Sequence, residues 1–223
     1  GYIVNENLKA EVLTTFKVNH LFVHRCQVVN GEVKVGDYAF AQIDSARRAQ
    51  IRVHHTSAHL LQAALIKVLG DEVKQAGSQV EENRMRFDFT FSRAMTPQEV
   101  KKTEDIMNKW IGEKLPVNTD VMGIEEAKLT GATALFGEKY EDVVRVVSIG
   151  GKAKCNCGSD CSCDHESGEE KEVISKEFCA GTHASNTADL RLVKIVSEGA
   201  IAAGTRRIEA VVADAALGYL NAK

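Results

Sequence analysis

Arg84-Met85-Arg86-Phe87-Asp88-Phe89-Thr90-Phe91 alternates without a fault. A period of two puts Met85, Phe87, Phe89 and Phe91 on one face of a β-strand. Four large apolar side chains on one face demand a second layer to cover them. The sequence supplies helices on either side. Leu60, Leu61, Ala64, Leu65 and Val68 recur at helical spacing over 54–69, and Gly70 stops that helix. Thr96-Pro97-Gln98-Glu99 opens another, running to about Lys114: Thr96 is the N-cap, Pro97 takes the first position and Glu99 completes a capping box. Further strands are expected at about 116–122, 143–149, 190–197 and 205–212, with a short helix near 124–130 and a last one at 213–221. The pattern predicts an α+β chain with a mainly antiparallel sheet.

The first 46 residues read differently. Val12 to Val18 and Leu21 to Val29 are rich in β-branched and aromatic residues. Asn30-Gly31 is a hairpin signal between 26–29 and 32–35, and Gly36-Asp37 makes another turn before 38–43. Strands this short and close predict a small β-barrel over 1–46, followed by a second domain over 47–223.

Four of the six cysteines, Cys155, Cys157, Cys161 and Cys163, crowd into nine residues, while Cys26 and Cys179 stand alone. A disulfide framework spreads its cysteines to staple distant segments, so the clustering points to a reducing, intracellular (cytoplasmic) setting. Residues 150–172 lack periodicity and read as a cysteine-rich acidic loop. Residues 155–172 carry six acids against Lys171, a net −5, out of −3 for the whole chain. The remainder is therefore +2, a balance that permits an RNA partner without demanding one. No run approaches the ~18 apolar residues of a membrane helix. The start is not a signal peptide and carries no initiator Met, so the chain reads as a piece of a longer protein.

Two short constellations carry chemistry. His55 and His59 stand four apart on the first helix, so both imidazoles can reach one ion. Cys179-Ala180-Gly181-Thr182-His183 sets a thiolate and an imidazole four apart with a glycine to let the backbone bend. Alone, each pair reads first as something ordinary, a common helix spacing or a buried cysteine near a surface histidine. Together they make a nitrogen-rich, single-sulfur set suited to one Zn²⁺. His54 lies about 100° around the helix from His55, so His55 is the ligand of the doublet. Cys155, Cys157, Cys161 and Cys163, near His165, are either a second metal site or a solvated thiol-bearing loop.

The motifs 44–48 with His55 to His59, Gln75-Ala76-Gly77-Ser78, Arg86-Phe87-Asp88-Phe89, Ala134 to Tyr140, Cys179 to His183 and Gly204 to Ala210 occur in order. In this the chain resembles the editing domain of alanyl-tRNA synthetase and its free-standing AlaX-type relatives, from about residue 10 to the C-terminus, except for the cysteine-rich loop. The resemblance implies a small β-barrel leading into an α/β zinc-containing editing domain. It also implies zinc-dependent deacylation of mischarged tRNA(Ala), releasing serine, with glycine as a second candidate, at the acceptor end. The site it implies has His55, His59, Cys179 and His183 on the metal. Thr56 would bond the serine hydroxyl, and Gln75 would position water or the substrate carbonyl. Asp88, Arg206 and Arg207 would meet substrate or tRNA. Ala180 stands where the synthetase has glycine, and its methyl would narrow the pocket or shift the backbone. Editing is needed because an alanine pocket rejects an added hydroxyl by only about a hundredfold. The rest of the synthetase is the expected partner. The rival readings are the editing domain of threonyl-tRNA synthetase, a non-catalytic tRNA-binding module with structural zinc, and metal storage by the cysteine loop.

Overall fold

The computed structural model describes residues 1–134, 140–153 and 170–222. The cysteine-rich stretch from Cys155 to Cys163 and most of the Ala134–Tyr140 motif lie outside the described residues. The chain divides into two compact units, Gly1–Arg48 and Ala49–Lys223.

The first unit is a four-stranded antiparallel sheet in the order β3-β2-β1-β4. Its strands are β1 (Tyr2–Val4), β2 (Leu8–Val18), β3 (Leu21–Gly31) and β4 (Phe40–Gln42). The expected barrel is corrected to an open sheet: β3 and β4 form its two edges. With three residues, β4 is too short to meet the eleven-residue β3 around a closed cylinder. The expected hairpin at Asn30-Gly31 is also corrected. The tight turn is Asn19-His20, flanked by the pair Val18–Leu21, with Asn19 at φ 53°. Gly31 instead closes β3 opposite Leu8 at φ 85°, where a Cβ would strike the Asn7 carbonyl.

The second unit holds two antiparallel sheets, β10-β11-β6-β5 and β7-β8-β9. The first contains β5 (Gln75–Val80), β6 (Met85–Thr90), β10 (Val193–Ala202) and β11 (Thr205–Val212). The second contains β7 (Val117–Gly123), β8 (Val143–Gly151) and β9 (Lys171–Phe178). Helix α1 (Ser45–Leu69) starts where the Asp44 side chain accepts the Arg47 amide at 2.9 Å, and ends at Gly70 with φ 106°. Its Leu60, Leu61, Ala64 and Leu65 share one core with Met85, Phe87, Phe89 and Phe91, the covered face that the alternation predicted. Helix α2 (Pro97–Gly112) carries the capping box of Thr96 and Glu99 and adds Met107, Trp110 and Ile111 to that core. Helix α3 (Ile124–Leu129) and α4 (Ala213–Asn221) follow their strands directly. A smaller cluster of Ala127, Val144, Val146 and Phe178 backs β8 and β9. No described helix is long and apolar enough to cross a membrane.

Candidate metal centre

Helix α1 presents His55 and His59 one turn apart, and β9 runs out at Phe178 into the bend Cys179–His183. The two segments meet. One ligand atom from each of His55, His59, Cys179 and His183 lies within 4.8 Å of every other. Cys179 Sγ is 3.5 Å from His55 Nε2 and 3.3 Å from His183 Nε2. Neighbouring donors on a tetrahedral zinc stand about 3.3–3.6 Å apart, so these spacings suit one ion. The His55 and His183 rings stack at 4.1 Å, with the His59 ring edge-on to both.

Each imidazole has an oxygen at its far nitrogen. His55 Nδ1 is 3.2 Å from the Thr182 carbonyl, His183 Nδ1 is 3.2 Å from Thr56 Oγ1, and His59 Nδ1 is 3.2 Å from Glu177 Oε2. The last is a close ionic contact rather than an aligned hydrogen bond. At His55 and His183 the oxygen can accept the Nδ1 proton, the tautomer that leaves Nε2 free for a metal and the usual support around ligating histidines. Glu177 is itself held by Ser175 Oγ, which donates to Oε1 at 2.8 Å.

The bend is anchored from β8. The Cys179 amide donates to the Arg145 carbonyl at 3.0 Å, and Arg145 Nη1 donates to the Ala180 and Gly181 carbonyls at 2.8 and 3.0 Å. Gly181 is required by contact: a Cβ there would lie 2.0 Å from His55 Cε1. Ala180, the residue expected to narrow the pocket or shift the backbone, is exposed, and its carbonyl accepts from Arg145 Nη1.

Burial opposes charge on Cys179, but hydrogen bonds from His183, His55 and His59 outweigh it and pull the thiol down to about 3. Burial also opposes a charged His59, yet the Glu177 carboxylate and Cys179 hold that ring at about 10. His183 is pushed down to about 4, mainly by burial. A thiolate thus sits ready among the three rings. His54 is a core residue. It is fully buried, Nδ1 faces the Gln50 carbonyl at 2.9 Å and Nε2 accepts the Val212 amide at 3.4 Å.

The other expected site residues fall outside this cluster. Thr56 is fully buried, and besides His183 its Oγ1 accepts the Ala184 amide at 3.0 Å. Gln75, at the start of β5, donates to Ser78 Oγ at 3.1 Å. Asp88 takes Arg207 in a two-pronged pair at 2.7 and 2.8 Å, and Arg206 pairs the same way with Glu198 at 2.6 and 2.9 Å. The carboxylate beside the candidate ligand His59 is Glu177, and neither it nor Arg145 was singled out from sequence. Both act through other residues, and residue spacing gives no sign of that. A cleft of about 640 Å³ opens beside His183 and Thr182.

Residues 144–209, which include the Cys179–His183 bend, match the family model described as the threonyl and alanyl tRNA synthetase second additional domain. Over its whole length the chain also aligns with alanine–tRNA ligases. The chain is similar to one part of the alanine–tRNA ligases. It is 45% identical over 221 residues to the ligase of Synechococcus sp. (strain JA-3-3Ab), covering 99% of this chain and 22% of that protein. It is 40% identical over 223 residues to the ligase of Acaryochloris marina (strain MBIC 11017), covering 100% and 23%. For Nostoc punctiforme (strain ATCC 29133 / PCC 73102) the figures are 42% over 221 residues, 99% and 23%. The chain thus spans about a fifth of the length of the curated relatives it matches.

Proposed function

We propose that this chain hydrolyses the ester joining a wrongly attached amino acid, serine and also glycine, to the acceptor end of tRNA(Ala), at a site built on one zinc ion. The observation that carries this reading is the convergence of His55, His59, Cys179 and His183, each imidazole backed by an oxygen at Nδ1. When bound, zinc supplies a Lewis acid that polarises an ester carbonyl or lowers the pKa of a water to ~7. His55, Cys179 and His183 are only partly buried, which favours a site that substrate can reach.

The protein's own residues do the positioning. Glu177 holds the His59 ring, Thr56 ties His183 and the Ala184 amide to α1, and Arg145 grips the carbonyls of the bend. Cys179 enters as thiolate. Gln75, whose amide reaches Ser78, orients the acyl group or the attacking water. With its hydroxyl oxygen engaged, Thr56 serves serine recognition only indirectly, through the placement of His183. Asp88–Arg207 and Glu198–Arg206 brace the sheet on which Gln75 stands. The reaction belongs in the cytoplasm, with the rest of an alanyl-tRNA synthetase as partner.

One observation favours a second reading. Four protein donors fill a tetrahedron, as structural zinc sites do, and a non-catalytic tRNA-binding module would look the same. Purified protein is given Ser-tRNA(Ala), and free serine is followed beside a Cys179→Ala variant. The enzyme reading expects release by the parent and a loss of at least about a hundredfold in the variant. Metal and tRNA bound with no serine released would establish the second reading.

A further inference from the structure

The cleft beside His183 is walled by three segments that each bring an arginine: Arg52 from α1, Arg145 from β8, and Arg191 at the end of the short 3-10 turn Thr187–Leu190. Its two acids are engaged with neighbours: Asp189 accepts from Ser185 Oγ at 3.3 Å, and Asp214 pairs with Arg191 at 2.6 Å. Arg145 spends one nitrogen on the bend that carries Cys179 and His183. Arg52 is exposed and has no partner among the described residues. Arg191 at φ 56° and the further lining residue Ala213 at φ 52° hold left-handed backbone that non-glycine residues rarely adopt. Such conformations concentrate at ligand clamps.

Resting on the hydrolytic reading above, we propose that this cleft seats the sugar–phosphate backbone of the single-stranded RNA 3′ end, with Arg52 as its free phosphate contact. The chemistry favours this occupant. Arginines outnumber acids three to two, one of the acids is paired with Arg191, and the candidate metal ligand His183 is among the lining residues. An RNA strand that delivers its terminal ester to the proposed metal centre brings its last phosphates close to that ligand. Arginine forks suit phosphate oxygens, and each phosphate neutralised on a single strand adds about 0.7 to the salt dependence of binding.

The test uses the full chain loaded with one zinc and an uncharged acceptor-stem minihelix, with and without its single-stranded 3′ overhang. Arg52→Glu and Arg191→Glu are compared with the parent by fluorescence anisotropy over a salt series, after zinc content and thermal midpoint show each variant folded. The expected result for Arg52→Glu is affinity on the order of tenfold weaker for the overhang minihelix at low salt, with a slope shallower by about 0.7. The blunt duplex should show little change. Parent-like affinity and slope in both variants would overturn the proposal. An equal loss on the blunt duplex would also overturn it, because the cleft would then read duplex backbone. If the variants lose overhang binding while the parent releases no serine from Ser-tRNA(Ala), the cleft stands and the hydrolytic reading falls. If the parent releases serine and the variants bind normally, the reverse holds.

Discussion

In Gly1–Arg48, Leu8 and Ala10 are the buried apolar side chains, while Phe16, Leu21, Phe22, Tyr38 and Phe40 stand exposed. From Ala49 onward, Leu60, Leu61, Met85, Phe87, Phe89, Met107 and Ile208 share one sealed core. Both units have well-formed ladders; β2 and β3 pair along nearly their whole length. Backbone pairing alone therefore does not make a packed interior. The β2–β3 hairpin is held by hydrogen bonds and cross-strand pairs, a marginal arrangement without a covering layer. The candidate metal centre belongs to the other unit, where packed walls can hold four donors within ångströms of one place.

The contrast breaks most openly at Phe89. Phe89→Ala should cost about 3–5 kcal/mol of unfolding free energy, read from the urea midpoint. A loss below about 1 kcal/mol would mean that the α1–sheet core is not what holds the second unit. Next come the supports of the site. Gly181→Ala drives a methyl into the His55 ring, and Glu177→Ala frees the His59 ring. Each should weaken zinc binding by about 10- to 100-fold, measured by competition with a chelating dye. Glu177→Gln should recover part of the loss.

Thr96→Ala removes one capping-box partner and should cost about 1 kcal/mol. Glu99, the other partner, also sharpens the pH dependence. Hydrogen bonds from Arg93 and from Thr96 hold its carboxyl at about 2, below the ~4.3 of an unfolded chain. Its contribution is complete above the unfolded value and disappears as pH falls through about 2. The stability gap between the parent and Glu99→Gln should therefore close between about pH 5 and pH 2, and a gap constant over that range would contradict the pairing. The smallest effect is expected in the first unit: Phe22→Ala should stay within about 0.5 kcal/mol. A loss comparable to that of Phe89→Ala would erase the contrast.

Much of the second unit was legible because its signals are local. The alternation of Met85 to Phe91, the Thr96–Glu99 box and the helical run of Leu60 to Leu65 each declare their element without help. Strand β5 was not legible. Gln75-Ala76-Gly77-Ser78-Gln79 has little β preference of its own, and it is a strand because β6 offers it an edge. Strand β9 was hidden by the same tertiary dependence and by the aperiodic sequence before it. At the N-terminus Asn30-Gly31 had the right turn chemistry in the wrong place, because Gly31 answers a close approach of Asn7. The four candidate ligands were legible from paired spacings and the resemblance, and their support was not. Glu177 and Arg145 matter through the rings and carbonyls they hold, a property of three-dimensional neighbours.

The most direct test is zinc K-edge X-ray absorption on the full chain loaded with one equivalent of zinc. A shell of three nitrogens at about 2.0–2.1 Å and one sulfur at about 2.3 Å is the predicted result, with the sulfur lost in Cys179→Ala. A sulfur-rich shell that survives that substitution would put the metal in the cysteine cluster of Cys155 to Cys163, and would contradict the joining of α1 and the 179–183 bend through one ion.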